Sequence, residues 1–147
     1  MTEHFYKYHS RYSIEQIYEL ITDVENYPEF LPWCKGAQII EESQNSLVAD
    51  LIISFKVFTE HYRSRVDLKP PARGKAAVEV NLIHGPFKNL YNSWKLKKNK
   101  KGGTDIEFFI SFEFNSALLE KFIGLLFSKA CQKMVTAFEH RADQKFG

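Results

Sequence analysis

The sequence is poor in cysteine, and its two thiols lie far apart in the chain. Cys34 and Cys131 are the only cysteines among 147 residues. Two cysteines are too few for the disulfide framework of a small secreted domain, so we expect reduced thiols in a reducing compartment. The residues from Met1 to Ser13 contain neither the apolar core of a signal peptide nor an arginine-rich amphipathic stretch free of acidic residues. These absences favour a cytoplasmic location.

A strong net charge and a long hydrophobic run are lacking as well. The 20 Lys and Arg residues against 18 Asp and Glu residues leave a net charge of +2. A charge of this size does not indicate a polyanionic partner, so we expect no binding to DNA. No apolar run approaches the roughly 20 residues that a membrane-spanning helix requires. The expectation is therefore a soluble protein.

Aromatic residues, by contrast, are abundant. They make up 15% of the chain, with 13 Phe and 7 Tyr against 2 Met. A chain of this length buries roughly 68–70% of the surface that its unfolded form exposes, which leaves room for a sizeable core. The sequence contains no internal repeat, linker or low-complexity tract. We therefore expect one domain that spans residues 1–147.

The start of the chain predicts a strand followed by a short helix. His4 to Tyr12 places tyrosines at even positions, on one face of an extended segment. Ser13 and Gln16 have the spacing of a capping box, and apolar residues follow at helical intervals from Ile14 to Ile21. An amphipathic helix of a few turns is therefore expected after the first strand.

The segment from Asp23 to Gly36, DVENYPEFLPWCKG, places large apolar side chains between two prolines. Pro28 and Pro32 lack a backbone donor and disfavour helical backbone in the residue before them, so a helix here is short. The apolar side chains of this segment must be buried or must contact something other than water.

From Ala37 to Asn115 the hydrophobic period changes to two, and turn residues divide the stretch into about six strands. Such alternation is typical of an antiparallel sheet with one wet face. Pro70, Pro71 and Gly74 are predicted to break the chain before the strand that starts at Ala76. The run KKNKKGG is predicted to form a hairpin turn.

The helical period returns after Ser116, a predicted N-cap, and continues to the end of the chain. The apolar stripe of this helix comprises Leu119, Phe122, Ile123, Leu126, Phe127, Ala130, Met134 and Phe138. The stripe and the inner face of the sheet must each be buried. We therefore predict an α+β fold in which a curved antiparallel sheet of six or seven strands wraps around a long C-terminal helix, with two short helices after the first strand.

Three stretches carry a resemblance to a known family. DVENYPEFLPWC follows the first helix, GPFKNLYNSWKL begins at Gly85, and FEFNSALLEKFIGLLF begins at Phe112. In this order and spacing they resemble the coenzyme Q-binding family of START-like, helix-grip proteins. This family is often described as polyketide cyclase or dehydrase and includes the bacterial ribosome association toxin. The resemblance spans nearly the whole chain.

The resemblance implies a cavity between the sheet and the C-terminal helix that holds ubiquinone or a similar polyprenyl lipid. It implies a carrier or chaperone that supports respiration or quinone biosynthesis without catalysis, and no cofactor other than the bound lipid. A peripheral place at the inner membrane is compatible with this role. A ribosome-binding inhibitor of translation is the first alternative, and a small-molecule cyclase or hydrolase is the second, because one fold hosts several functions.

Candidate ligand contacts are the large side chains expected to face this cavity or to cover its mouth. The predicted lid, which also touches a membrane surface transiently when lipid enters or leaves, consists of Tyr27, Phe30, Leu31 and Trp33. The aromatic residues expected to point into the space between sheet and helix are Phe55, Trp94, Phe108, Phe112, Phe122 and Phe127. Ordinary core packing is the alternative for each of them.

Polar candidates are few. Tyr62 and Ser64 lie on the inward register of their strand, where Tyr62 is expected to reach a carbonyl oxygen of the ligand, and Asn92 is a weaker candidate. His4 and His9 fall on opposite faces of one strand, so a shared metal ion is not expected. The lysines near the KKNKKGG turn are expected to be solvated, with docking on an anionic surface as the alternative.

Overall fold

A computed structural model describes residues 1–55 and 58–147 of the chain. Seven strands form one antiparallel sheet in the order β1-β7-β6-β5-β4-β3-β2. The strands are β1 Thr2–Ser10, β2 Cys34–Glu42, β3 Ser46–Phe55, β4 Phe58–Ala72, β5 Lys75–His84, β6 Phe87–Lys98 and β7 Thr104–Phe114. The helices are α1 Ile14–Thr22, a 3₁₀ helix Val24–Glu29, α2 Ala117–Gln132 and α3 Met134–Phe146. The predicted α+β architecture, with two short helices after the first strand, is confirmed.

The predicted capping box starts α1. The Ser13 hydroxyl accepts a hydrogen bond from the Gln16 amide at 3.2 Å, and the Gln16 side chain accepts one from the Ser13 amide at 3.0 Å. Strand β1 ends at Ser10, earlier than predicted, because Tyr12 turns away to donate a hydrogen bond to Asp143 of α3 at 2.5 Å. Tyr12 therefore joins the two ends of the chain instead of lining the strand.

The prediction that Pro70 and Pro71 break the chain is wrong, because β4 continues through both of them to Ala72. The strand β3 begins at Ser46, opposite Asp67, so the end of β4 pairs only with β5. The ladder is also irregular between Lys69 and Ala72. Two missing amides cost little at such an irregular, half-paired strand end.

The predicted C-terminal helix is divided in two at Lys133. The amide of Lys133 is shared between the carbonyl groups of Lys129 and Ala130, each at 3.2 Å, which tightens the last turn of α2 and ends it. The helix before this break, α2, contacts β3 and β7. The helix after it, α3, contacts α1 and β1. The two helices therefore cover different parts of the sheet's inner face.

A cluster of aromatic rings joins α3 to the sheet. The ring of Phe138 lies 4.9 Å from Trp94 on β6, and Trp94 lies 4.4 Å from Phe108 on β7. Phe138 also packs edge-on against Tyr27 and Phe30, with ring centroids 5.4 and 5.0 Å apart. These contacts connect the sheet, the 3₁₀ helix and α3 through one side chain.

An ion pair joins β3 and β4 on the outer face of the sheet. The guanidinium of Arg63 donates to both carboxylate oxygens of Asp50, at 2.6 and 2.9 Å, and His61 lies 3.2 Å from the same carboxylate. The hydrogen bonds from Arg63 lower the pKa of Asp50 to about 2 despite the opposing effect of burial. Bidentate geometry makes this pair stronger than an ordinary surface ion pair.

We expect Asp50→Asn to lower the free energy of unfolding by about 1 kcal/mol at neutral pH, because Arg63 loses its charged partner. An unpaired Asp titrates near about 3.9, so the folded-state shift of Asp50 stabilises the protein above that pH and is lost as the pH falls toward about 2. The difference between variant and wild type, measured by urea denaturation, therefore narrows with acidification. Asp67→Asn, which breaks the exposed pair with Arg65, is the control and changes stability by less than about 0.5 kcal/mol. Equal losses in the two variants would contradict the argument.

Candidate functional site

A cavity of about 80 Å³ lies between the inner face of the sheet, the 3₁₀ helix and the two C-terminal helices. Its walls come from α1, the segment around the two prolines, strands β3 to β7, and both C-terminal helices. Its lining residues are Ile21, Val24, Tyr27, Leu31, Trp33, Cys34, Ala49, Leu51, Ile53, Tyr62, Ser64, Val66, Val78, Val80, Leu90, Asn92, Trp94, Phe108, Ile110, Phe127, Ala130, Cys131, Met134 and Phe138.

Strand alternation supplies most of this lining. Inward positions recur at every second residue, as in Ala49, Leu51 and Ile53 of β3. Two of the lining positions are small, Ala49 on β3 and Ala130 on α2. The hollow is therefore built from short side chains as much as from aromatic ones.

Polar side chains of the lining include Tyr62, Ser64 and Asn92. In the part of the chain that the structure describes, every fully buried polar side-chain atom has a hydrogen-bond partner. These three side chains form no hydrogen bond with another residue within residues 1–55 and 58–147, so none of their polar atoms is fully buried. They are available to hold the oxygen atoms of a ligand.

The hydroxyl of Tyr27, in contrast, is already engaged. It donates a hydrogen bond to the carbonyl oxygen of Ile21 at the end of α1. Tyr27 therefore contributes an aromatic wall to the cavity, whereas Tyr62 contributes both a ring and a hydroxyl that has no hydrogen-bond partner among residues 1–55 and 58–147.

A glycine fixes the position of Tyr62. A Cβ atom on Gly85 would lie 2.5 Å from the Cβ atom of Tyr62, so only glycine allows β4 and the end of β5 to approach this closely. The ring of Phe87 then packs edge-on against Tyr62, with centroids 5.9 Å apart. Tyr62 is thus held by its neighbours before any ligand binds.

The lining carries no charge near neutral pH. It contains no Asp, Glu, His, Lys or Arg among the residues that the structure describes. Burial raises the pKa of Cys34 to about 11 and that of Cys131 to about 12. Burial also raises the pKa values of Tyr27 and Tyr62 above the ordinary range. Every titratable group of the cavity is therefore protonated and neutral at pH 7.

Seven of the eleven predicted contact residues line the cavity. They are Tyr27, Leu31, Trp33, Tyr62, Trp94, Phe108 and Phe127. Ser64 and Asn92, the weaker polar candidates, line it as well. Whether these side chains touch a ligand stays a prediction.

The expectation that Phe122 faces the cavity is wrong, because it lies on the outer face of α2 with 64% of its surface exposed. Phe112 is completely buried in the core, with its ring 4.6 Å from Phe127, but it does not reach the cavity. Phe55 packs beside Phe127 at 6.0 Å without lining the hollow. The apolar stripe of α2 is broader than the part of the helix that faces the sheet.

The residues of the predicted lid are also packed against the protein instead of being available to a membrane surface. Leu31 is only 2% exposed and faces inward, so it does not reach a membrane surface in this structure. Phe30 packs on Phe138, and the guanidinium of Arg141 lies 5.3 Å from the Phe30 ring. The segment between the prolines is therefore a packed end wall of the cavity.

Sequence reasoning missed the small and sulfur-containing lining residues, including Ala49, Cys34, Cys131 and Met134. Strand alternation marks Ala49, and the helical stripe marks Met134, so both signals were present in the sequence. Cys131 lies four residues after Phe127 on the same face of α2, so helical periodicity marks it as well, whereas Cys34 follows the proline segment and has no periodic signal.

No group of three or more potential metal ligands occurs among the described residues. His4 bonds to Ser128 of α2, whereas His9 pairs with Asp105 on the outer face, as their opposite registers predict. No helix in the described ranges combines the length and the hydrophobicity needed to cross a membrane.

The amino-acid sequence is similar to two relatives of different names. The ribosome association toxin RatA of Rickettsia prowazekii is 37% identical over 133 residues, which cover 90% of this chain and 90% of that protein. The mitochondrial coenzyme Q-binding protein COQ10 homolog B of Xenopus laevis is 30% identical over 139 residues, which cover 92% of this chain but 56% of that protein.

The fold is shared more widely than the sequence. The crystal structure of the Zhui aromatase/cyclase from Streptomyces sp. R1128 matches with a TM-score of 0.84, covering 99% of this chain and 96% of that one. Its sequence identity is 15%, so this likeness shows the helix-grip fold alone. The family described as polyketide cyclase/dehydrase and lipid transport matches residues 10–139. Because that match covers most of the sequence, this chain belongs to the polyketide cyclase/dehydrase and lipid transport family.

Proposed function

We propose that the cavity binds ubiquinone or a similar polyprenyl lipid, and that the protein carries or chaperones this lipid without reacting with it. The observation that supports the proposal is a largely apolar, uncharged cavity in which Tyr62, Ser64 and Asn92 have no hydrogen-bond partner among the described residues. A quinone offers two carbonyl oxygens on a ring and a tail with no polar atom. The three polar side chains match the ring, and the aliphatic and aromatic lining matches the tail.

The volume of the cavity sets a condition on this function. About 80 Å³ holds several water molecules, whereas pockets for whole organic ligands measure about 300–1,000 Å³. A polyprenyl lipid therefore needs the walls to separate. The wall best suited to move is α2, which is bounded by the cap at Ser116 and the break at Lys133.

The neutral lining favours binding over catalysis. General acid–base chemistry at neutral pH needs a group whose pKa lies near the working pH, and nucleophilic catalysis by cysteine needs a thiolate. Cys34 and Cys131, with pKa values raised to about 11 and 12, remain thiols at that pH. This is the ground for proposing a carrier instead of a cyclase.

The proposal is tested by organic extraction of the purified protein and mass spectrometry, with the variant Ala130→Leu beside the wild type. We expect near-stoichiometric quinone from the wild type and a large loss from the variant, because the added side chain fills the cavity. Stability, measured by urea denaturation, is expected to stay within about 1 kcal/mol of wild type, since the leucine enters free space.

Ala142→Leu is the matched control, because Ala142 is fully buried but lies outside the cavity. Overpacking at that position is expected to cost about 1–3 kcal/mol while the folded protein keeps its lipid. The proposal fails if the wild type neither carries a quinone nor takes one up when it is added.

Tyr62→Phe removes the hydroxyl and keeps the ring. We expect quinone affinity to fall about fivefold, the effect of one hydrogen bond of about 1 kcal/mol, with no change for an isoprenoid hydrocarbon that lacks oxygen. Quinone binding is measured by quenching of the fluorescence of Trp33 and Trp94, which both line the cavity. Hydrocarbon binding is measured by its competition with the quinone. Tyr27→Phe is the control, because its hydroxyl is bonded to Ile21. Equal effects of the two variants on the quinone would argue against a role for Tyr62 in headgroup binding.

A second candidate function is association with the ribosome, which the name of the Rickettsia relative states for that protein. The observation that favours it here is a groove on the outer face of the sheet, at the end where the hairpin turns lie. Five lysines line this groove together with only three acidic residues. The lysines are Lys7, Lys69, Lys75, Lys95 and Lys97. Clustered lysines of this kind suit the phosphate groups of RNA.

We expect Lys95→Glu combined with Lys97→Glu to weaken co-sedimentation with ribosomal particles if this second function operates. The plot of the logarithm of the binding constant against the logarithm of the salt concentration should also become less steep, by about one unit of slope per lysine. Lys121→Glu on α2 is the control, and the quinone content of all variants should equal that of wild type. Unchanged co-sedimentation of the groove variant would exclude the groove as the ribosome contact.

A further inference from the structure

The outer face of α2 carries three large apolar side chains that no described residue covers. Leu118, Phe122 and Leu125 are 64%, 64% and 68% exposed. Spacings of four and three residues place them in one row along the helix. Scattered exposed hydrophobic residues are ordinary, but a row of three on one helix marks a contact surface.

Positive charge surrounds this row. Lys129 continues it one turn further along, and Lys121 and Lys133 flank it; all three lysines are exposed. The acidic residue of α2 is Glu120, which helical periodicity places on the side opposite the row. The outer face of α2 therefore presents hydrophobic side chains and cations, the composition of helices that lie in the surface of an anionic bilayer.

The inner face of the same helix closes the cavity. Phe127, Ala130 and Cys131 are buried and belong to the lining. Any surface that binds the outer row is thus separated from the cavity by the thickness of one helix. A lipid that leaves the cavity past α2 would emerge directly at that surface.

Polar contacts hold α3 in place more firmly than α2. Side chains of α3 bond to Tyr12 at 2.5 Å, to Glu29 at 2.7 Å and to Glu19 at 3.5 Å. For α2, the side-chain hydrogen bond to another element within the described ranges is that of Ser128 with His4 at 3.3 Å. Of the two helices that cover the sheet, α2 therefore has fewer side-chain hydrogen bonds to other described elements, and its attachment rests mainly on apolar packing such as that of Phe127 against Phe87 and Phe112.

We propose that the outer face of α2, formed by Leu118, Phe122 and Leu125 with Lys121, Lys129 and Lys133, docks on an anionic phospholipid surface. A second copy of the chain is a poorer fit, because a stable dimer buries about 800 Å² on each partner from about 20–30 residues. Three side chains on one helix supply far less, and the flanking lysines would face each other across a symmetric contact. Weak and reversible membrane binding is what such a short row provides.

The inference deepens the proposed function, because it says where a lipid would enter and leave, but docking is measured without any cavity ligand. The test is co-sedimentation with vesicles of equal parts phosphatidylcholine and phosphatidylglycerol, compared with phosphatidylcholine alone. We expect binding to the anionic vesicles, reduced about tenfold by Phe122→Ser or Leu125→Ser. Lys121→Glu or Lys129→Glu should reduce it at least about fivefold each, because the loss of one lysine corresponds to about 1 kcal/mol and the glutamate adds repulsion.

Matched controls lie on the opposite side of the molecule. Phe5 on β1 is 53% exposed, so Phe5→Ser removes a comparable phenylalanine and is expected to leave vesicle binding unchanged. Lys75→Glu, in the outer groove, is the corresponding control for charge. Circular dichroism is used to check that each variant is folded. Substitutions at these exposed positions are expected to leave the fold intact.

A fluorescent label gives a second and independent readout. The native thiols are buried and their pKa values are raised, so a maleimide fluorophore reacts first with a cysteine introduced at an exposed position. A polarity-sensitive label at Leu118→Cys is expected to shift to the blue when anionic vesicles are added. The same label at Phe5→Cys is expected to show no shift.

Three results would overturn the inference. One is the absence of wild-type binding to anionic vesicles, and another is an equal loss of binding in Phe5→Ser and Phe122→Ser. The third is a concentration-dependent dimer, seen by analytical ultracentrifugation, that Phe122→Ser abolishes while vesicle binding is unaffected. A quinone recovered from a protein that fails these vesicle tests would leave the proposed function standing and remove only the docking surface.

Discussion

The contact between Phe138 and Trp94 is the interaction on which the rest of this structure depends. Phe138 lies on α3 and Trp94 on the interior strand β6, with ring centroids 4.9 Å apart. The same Phe138 ring packs edge-on against Tyr27 and Phe30 of the segment between the prolines. Each such aromatic pair contributes about 0.5–1.5 kcal/mol beyond its buried area. One side chain therefore sets the distance between the sheet and its cover.

Once that distance is fixed by aromatic rings at one end, small side chains elsewhere leave space. Ala49 and Ala130 face the hollow where larger residues would close it. Close packing is the rule in protein interiors, and voids in a core are costly. Several aromatic rings and two alanines keep this cavity open. The empty space lowers the stability of the fold.

The character of this cavity follows from the absence of charge. Desolvation penalises ionised groups, and the tyrosine and cysteine side chains of the lining respond with raised pKa values. Recognition then rests on shape and on a few neutral hydrogen-bonding groups. The same helix-grip fold serves the Zhui aromatase/cyclase, which shares 15% of its sequence with this chain. The fold alone therefore does not determine what the hollow binds or does.

The helix α2 combines two environments within four turns. Its inner side is part of the cavity wall, and its outer side carries hydrophobic residues among lysines. Helical periodicity alone brings both sets of residues onto one element. This arrangement places a single helix between the proposed ligand and the solvent.

Local chemistry in the sequence determined the elements and most of the site. Three predictions are confirmed: the Ser13 capping box, the alternation along β3 and β7, and the KKNKKGG turn. Each of them depends only on residues that are neighbours in the sequence. Tertiary structure alone decided that Phe122 faces solvent, that β4 continues through Pro70, and that Lys133 divides the last helix. Periodicity shows that a helix has an apolar stripe, but only the helix orientation on the sheet shows which edge is covered. Side chains far apart in the chain set that orientation, as Phe138 does against Trp94.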